Sequence, residues 1–328
     1  MANDFLDVEK SIAEDAQDTL SGKPRPASAE PMLSGASAKK QRTLWGDAMR
    51  RLRRNKLAVI AIIWLLIIIA VAITADLWVP QTFGSPTAID TAKSAGQSLL
   101  APSLQHPFGT DLQGRDILSR VIYGSRVSLA VGILATSIST CIGLIMGALA
   151  AYYGGIWDVI IMRLADIFLA FPYILFVIAV LAVAGPGFQN VFIAIGILGW
   201  PSIARVFRSA ILSVKENDYV DAARAMGASD ARIIIRHIFP NSVATIIVYA
   251  TMSIGGAILT ESALSFLGMG VQPPTPSWGV MIADGKSYLV NAPWMMLAPG
   301  AAILTTVLAF TMLGDGLRDA LDVKLKDA

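Results

Sequence analysis

Residues 217–240, NDYVDAARAMGASDARIIIRHIFP, form a polar island between two strongly apolar runs. Asp218 is placed to cap a short helix, and Asp221 then favours the positive end of its dipole. Gly227 ends that helix, Ser229 is placed to cap a second one through Ile233, Ile234 and Ile238, and Pro240 breaks the pattern where the next apolar run begins. The expected shape is a helix, a bend and a helix. Val220, Ala223 and Gly227 follow a three-then-four spacing, which puts small and apolar residues on one face and leaves Asp221 and Arg224 elsewhere. Such a face can lie against another backbone, either in the chain's own membrane domain or in a separate cytoplasmic protein.

The apolar runs on both sides decide the class. The 328 residues are 55% hydrophobic and 15% charged, with mean hydropathy +0.60, which is a membrane composition. A net charge of +2 gives a nucleic-acid partner no support. One cysteine, Cys141, excludes an intrachain disulfide and a cysteine metal cluster.

Six spans are expected: 57–79, 127–151, 160–184, 188–208, 241–261 and 294–314. The polar island, 217–240, falls between spans four and five. Gly185-Pro186-Gly187 divides the long apolar stretch from Ile167 to Ala204 into two spans joined by a tight turn. Residues 1–43 are acidic and cannot bury a core, and no signal peptide is read there. Residues 44–56 are a basic juxtamembrane segment expected to meet anionic membrane lipid, and 315–328 a short tail. The segments 80–126 and 262–293 are expected outside. All but five of the 26 Lys and Arg residues then lie on the cytoplasmic side, the exceptions being Lys93, Arg115, Arg120, Arg126 and Lys286. By the positive-inside rule both termini are cytoplasmic.

Three features inside this plan invite a role. Ala135, Ser139, Gly143, Gly147 and Ala151 recur every fourth residue, a stripe that lets another helix approach closely. Arg163 and Asp166 are spaced to pair on one helix near the inner boundary. Glu261, at the outer end of span five, reads either as a headgroup-level residue or as a pathway or gate residue; a Gly- and Pro-rich re-entrant or external loop follows it. In the first external segment, HPFGTDLQGRDILSR puts Asp111 four residues before Arg115 and Asp116 four before Arg120, so both pairs can bridge along one amphipathic helix capped by Thr110. That helix is either an ion-paired interfacial element or a contact for an external solute-binding protein.

Asp221-Ala222-Ala223, Gly227 and Pro240 thirteen residues further on resemble the EAA signature of permease subunits of ATP-binding-cassette importers. The family pattern has Glu where this chain has Asp221, and its Ile-x-Leu-Pro ending is here His237-Ile238-Phe239-Pro240. That ending and the HPFGTD stretch are similar to the peptide and nickel branch, which contains the dipeptide and oligopeptide permeases. The resemblance covers most of residues 40–325. It implies an all-α membrane protein of the type I importer permease fold, with six transmembrane helices and a cytoplasmic coupling helix between spans four and five. It further implies a second homologous permease chain, two cytoplasmic ATPase subunits and an extracytoplasmic solute-binding protein, in a bacterial or archaeal cytoplasmic membrane. Tyr219, Asp221, Ala222, Ala223, Arg224, Gly227, His237 and Pro240 are the residues it assigns to coupling.

The chain itself lacks the means for chemistry. No G-x-x-x-x-G-K-[ST] loop occurs, and no nucleophile elbow, catalytic carboxylate pair or Cys/His cluster, so no cofactor is expected and ATP hydrolysis belongs to another chain. His106 and His237 fall on opposite sides of the membrane and cannot share a metal. The expected function is import of di- or oligopeptides, with nickel or glutathione as alternatives within the family. A stand-alone secondary transporter or channel is the alternative outside it, opposed by how few ionisable groups lie at depth.

Overall fold

The computed structural model describes residues 44–83 and 96–321; the acidic start, Lys93 and the last seven residues of the tail lie outside the described residues. Every extended regular element among them is a helix, and the one β-bridge joins Thr110 to Asp116.

Helix α1 (Leu44–Arg54) is amphipathic, seating Ala48 and Leu52 while Arg50, Arg53 and Arg54 stay exposed. Asn55 separates it from α2 (Lys56–Phe83), and the Asn55 side-chain oxygen accepts from the N–H groups of Leu57 and Ala58 at 3.1 and 3.2 Å. It thereby satisfies two donors that a helix start leaves orphaned.

Helix α3 (Ile117–Tyr153) begins ten residues before the expected span, because Asp116, not Thr110, is its N-cap, accepting from the Ser119 N–H at 2.8 Å. The stretch before it is irregular, not an amphipathic helix. Arg126 is tolerated inside α3 because it pairs with Asp76 of α2 at 2.9 Å.

The third expected span is bent. Helices α4 (Gly155–Ala170) and α5 (Tyr173–Ala184) meet at 88°. Phe171 sits in the extended region before Pro172, the conformation that a following proline imposes, so the chain cannot continue as helix. Among the described residues five helices are long and apolar enough to cross a membrane, or six when this bent pair counts as one span.

Helix α6 (Phe188–Lys215) packs against α3 along the small-residue stripe. A Cβ on Gly143 would come within 2.7 Å of the Ile203 side chain, and one on Gly147 within 2.7 Å of the Ala204 carbonyl oxygen, so only glycine permits this contact. From α6 the chain runs through the short α7 (Asp218–Ala225) into α8 (Asp230–Phe266).

Pro240 does not break α8. Residues Ile234–Ile238 form a π turn, in which the Phe239 N–H reaches back to the Ile234 carbonyl, and the helix passes through the proline. A proline removes one i→i−4 bond and crowds that carbonyl, and the wider turn accommodates both. The helix that carries the expected fifth span, 241–261, therefore starts at Asp230. A short helix α9 (Trp278–Gly285) lies against α8, α3 and the last span, α10 (Trp294–Leu321), which runs seven residues beyond its expected end.

Candidate functional site

Helix α7 is held from below. Val220 and Ala223 are 0% and 3% exposed, packed with Tyr152 of α3, Phe207 and Ile211 of α6, and Ile233, Ile238 and Ile246 of α8. Its end closes as a Schellman motif: the Gly227 N–H donates to the Arg224 carbonyl at 3.0 Å and the Ala228 N–H to the Ala223 carbonyl at 3.1 Å, with Gly227 at φ +78°. Neither expected cap forms. Asn217 stands at the N-cap position but turns its amide to the carbonyls of Ser213 and Val214, and Ser229 makes no capping bond.

Val220 and Ala223 of the three-then-four face are therefore spent on the chain's own spans while Gly227 stays exposed, and the two alanines divide. Ala223 faces inward; Ala222 faces out with Tyr219, Asp221, Arg224 and Met226, the last 82% exposed. Arg224 donates to Asp221 at 3.1 Å. His237 is half-buried with its ring beside that of Tyr219, and Pro240 lies exposed on α8.

Two further bonds seat the segment. The Tyr152 hydroxyl donates to Asp230 at 2.5 Å, and Lys215 donates to the Tyr152 carbonyl at 2.7 Å, closing the end of α3. Near them Arg208 binds Asp158 of α4 through two bonds of 2.5 and 2.6 Å. Arg163 pairs with Asp166 at 3.8 Å as expected, and Arg205 of α6 bonds the same carboxylate. Nothing in the spacing of these residues signals the pairs between helices, because their partners are 39 to 78 residues away in sequence.

At the other end of the helices, Asp111 is the centre of a buried charge cluster. Its Oδ2 accepts from Arg115 Nε and Arg120 Nη1, both at 2.7 Å, and its Oδ1 from the backbone N–H groups of Gln113 and Arg115. Asp116 takes His106 Nδ1 at 2.9 Å, while Arg120 reaches Asp284 of α9 at 3.3 Å. Only the first of the two expected pairs forms, and it forms in a turn. Asp111, Arg115, Asp116 and Arg120 are between 2% and 9% exposed, so none is presented to an outside protein. Taking such charges out of water is costly unless each is bonded, which is why they bond one another.

Glu261, read from the sequence as a headgroup-level or a pathway residue, is fully buried within the chain. Ser265 donates to it at 2.7 Å, Ser128 of α3 at 3.2 Å and Ser262 at 3.4 Å. The Trp278 N–H reaches the same Ser128 hydroxyl at 3.4 Å, so the carboxylate ties α3, α8 and α9 together.

Two of the cavities between the described helices bear on a path through the spans. One, about 700 Å³, sits between α2, α3 and α10 with Trp64, Trp278 and Trp294 in its wall and is almost wholly apolar. The other, about 290 Å³, is walled by α3, the bent α4–α5 pair, α6 and α8 and is rich in hydroxyls.

A profile described as the binding-protein-dependent transport system inner membrane component matches residues 139–327, and one for the N-terminal TM domain of oligopeptide transport permease C matches 43–107. The dipeptide transport system permease protein DppC of Alkalihalophilus pseudofirmus is 44% identical over 282 residues, 86% of this chain and 90% of that protein. The glutathione transport system permease protein GsiD of Escherichia coli is 46% identical over 285 residues, 87% of this chain and 92% of that one. Among solved structures, an inward facing conformation of the MetNI methionine ABC transporter superposes with TM-score 0.53 at 19% identity, over 63% of this chain and 98% of that one, a likeness of fold.

Proposed function

Since this chain belongs to the binding-protein-dependent inner membrane components, as a permease of the peptide and nickel branch of ATP-binding-cassette importers, we propose that it forms half of a path for short peptides. In this reading α7 takes its motion from a separate ATPase. The multi-pass inner-membrane protein pairs with a second, homologous permease. Two cytoplasmic ATPases each grip one such helix, an external binding protein delivers the solute, and both termini lie in the cytoplasm with the polar island.

One observation carries the coupling role. Helix α7 is packed against the ends of three spans at once, through Tyr152, Phe207, Ile211, Ile233 and Ile238, while Tyr219, Asp221, Ala222 and Met226 face away. A partner that draws on the outer face displaces α3, α6 and α8 together, because a packed interface moves as a unit instead of deforming smoothly. ATP binding elsewhere then biases two arrangements of the spans, the general form of coupling at a distance. The relatives named for dipeptide and glutathione transport share one feature of solute, the amide, and support a peptide-like cargo.

The experiment is a crosslink. In a Cys141→Ser background, Ala222→Cys or Met226→Cys is expected to capture an ATPase subunit in native vesicles, with a yield that changes on adding nucleotide. Capture of no ATPase from either position would remove the coupling role. Solute uptake into liposomes by this chain alone would replace the whole reading with that of an autonomous carrier.

A further inference from the structure

We infer that the cavity of about 290 Å³ between α3, the α4–α5 bend, α6 and α8 is this chain's wall of the solute path, and that it recognises the peptide amide through uncharged hydroxyls. This rests on the reading of the chain as a peptide importer subunit and deepens it.

The wall holds seven hydroxyl side chains, and four are engaged within the protein. Ser139 of α3 donates to the Gly196 carbonyl at 2.7 Å and Tyr173 of α5 to the Ile195 carbonyl at 3.0 Å, clamping α6 one turn before Pro201. Ser253 and Thr260 donate back along α8, to Tyr249 and Gly256. The other three line the cavity without a side-chain hydrogen bond to a described residue: Thr136 of α3, whose Oγ1 is buried, and Ser202 of α6 and Tyr249 of α8, which are half-buried. Each of the three helices thus contributes one hydroxyl that the described residues leave unbonded. A polar group inside a membrane protein is costly unless it is paired, and such groups mark paths for solutes.

The chemistry of the wall selects the class of solute. A hydroxyl both donates and accepts, which matches the N–H and C=O that an amide presents together. Among the described residues no Asp, Glu, Lys, Arg or His lines the cavity, so they offer no counter-charge to an ionised terminus. It offers a metal ion no carboxylate, imidazole or thiolate, which disfavours bare nickel at this wall. Neutral single hydrogen bonds also suit passage, since a path must hold its cargo weakly enough to release it.

The test uses the complete complex, with its ATPases and binding protein, in proteoliposomes. ATP-driven uptake of alanyl-alanine, or of glutathione if that is the solute imported, is compared with uptake of an ester analogue carrying oxygen in place of the amide N–H. Ser202→Ala, Tyr249→Phe and Thr136→Val are each expected to lower kcat for the amide by about three- to tenfold, the worth of one neutral hydrogen bond. KM, set by capture at the binding protein, stays unchanged, the ester loses less than the amide, and Thr136→Ser restores the rate. Equal losses for amide and ester would overturn the inference, as would wild-type rates in all three variants. A wild-type complex that imports neither solute with ATP would instead remove the reading on which the inference rests.

Discussion

Replacing Ala223 by Glu separates the two faces of α7 in a single step. Ala223 is 3% exposed and shares a packed site with Val220, Ile233 and Ile238. Burial of Val220 and Ala223 holds the helix by about 3 kcal/mol, from about 2 for the valine and about 0.8 for one methyl group. A carboxylate forced into that site without a partner costs several kcal/mol in desolvation, and its added volume about 1–3 kcal/mol more. The penalty exceeds the anchoring energy, so α7 leaves its seat while the membrane spans remain folded. Ala222→Glu, one residue away and exposed, leaves the helix seated. The assay places a cysteine at position 220 in a Cys141→Ser background and measures its labelling by a membrane-impermeant maleimide in inside-out vesicles. Labelling is expected to be slow in the parent and with Ala222→Glu, and at least about tenfold faster with Ala223→Glu, which also loses ATP-driven uptake. A position 220 that stays protected in the Ala223→Glu variant, with normal uptake, would refute the packing argument and with it the view that α7 moves the spans through this face.

Three further outcomes follow from the same packing. Asp111→Ala leaves Arg115 and Arg120 buried around an empty place, and breaking such a pair costs about 3–5 kcal/mol; limited trypsin digestion should then cut within residues 99–120, which resist it in the parent. Gly147→Leu drives a side chain at the Ala204 carbonyl and should abolish a monodisperse profile in detergent, whereas Gly300→Ala, with nothing within 4 Å, should leave the profile unchanged. Glu261→Gln keeps an acceptor for the serines and should stay close to wild type in thermal stability, while Glu261→Leu removes bonds to three hydroxyls at about 1 kcal/mol each and should lower the melting temperature and shift Trp278 fluorescence.

Local chemistry was legible wherever one stretch of chain contains both partners. The bend at Gly227 is an example, since a left-handed residue after a short helix calls for glycine and the motif closes within six residues. So is the stripe from Ala135 to Ala151, whose four-residue period states that something must come close, though not which helix. Pro240 and Pro172 show the limit. Pro240 read as a break, yet a π turn carries α8 through it, while Pro172 lay inside a single expected span and turns it by 88°.

Charge was legible as pairing and misleading as exposure. Asp111, Arg115, Asp116 and Arg120 read as a surface helix because their spacing fits one, but the cluster is completed by Asp284, 164 residues beyond Arg120. Glu261 read as a headgroup-level or pathway acid; Ser262 and Ser265, which bond it, are close in sequence, but Ser128, which joins it to α3, is 133 residues away.

Hydropathy, charge asymmetry and the spacing of the polar island were enough by themselves to establish an all-helical membrane protein with a short helix set between its fourth and fifth spans. These are properties of consecutive residues, and a bilayer leaves a long apolar run no option but to close its backbone bonds within itself. Which side of that short helix is anchored, which acids are sealed and which hydroxyls share a cavity depended on helices meeting across distances in sequence that carry no local signal. Packing alone brought Ala223 inward and left Ala222 free, because a shift of one residue along a helix turns the side chain by about 100°.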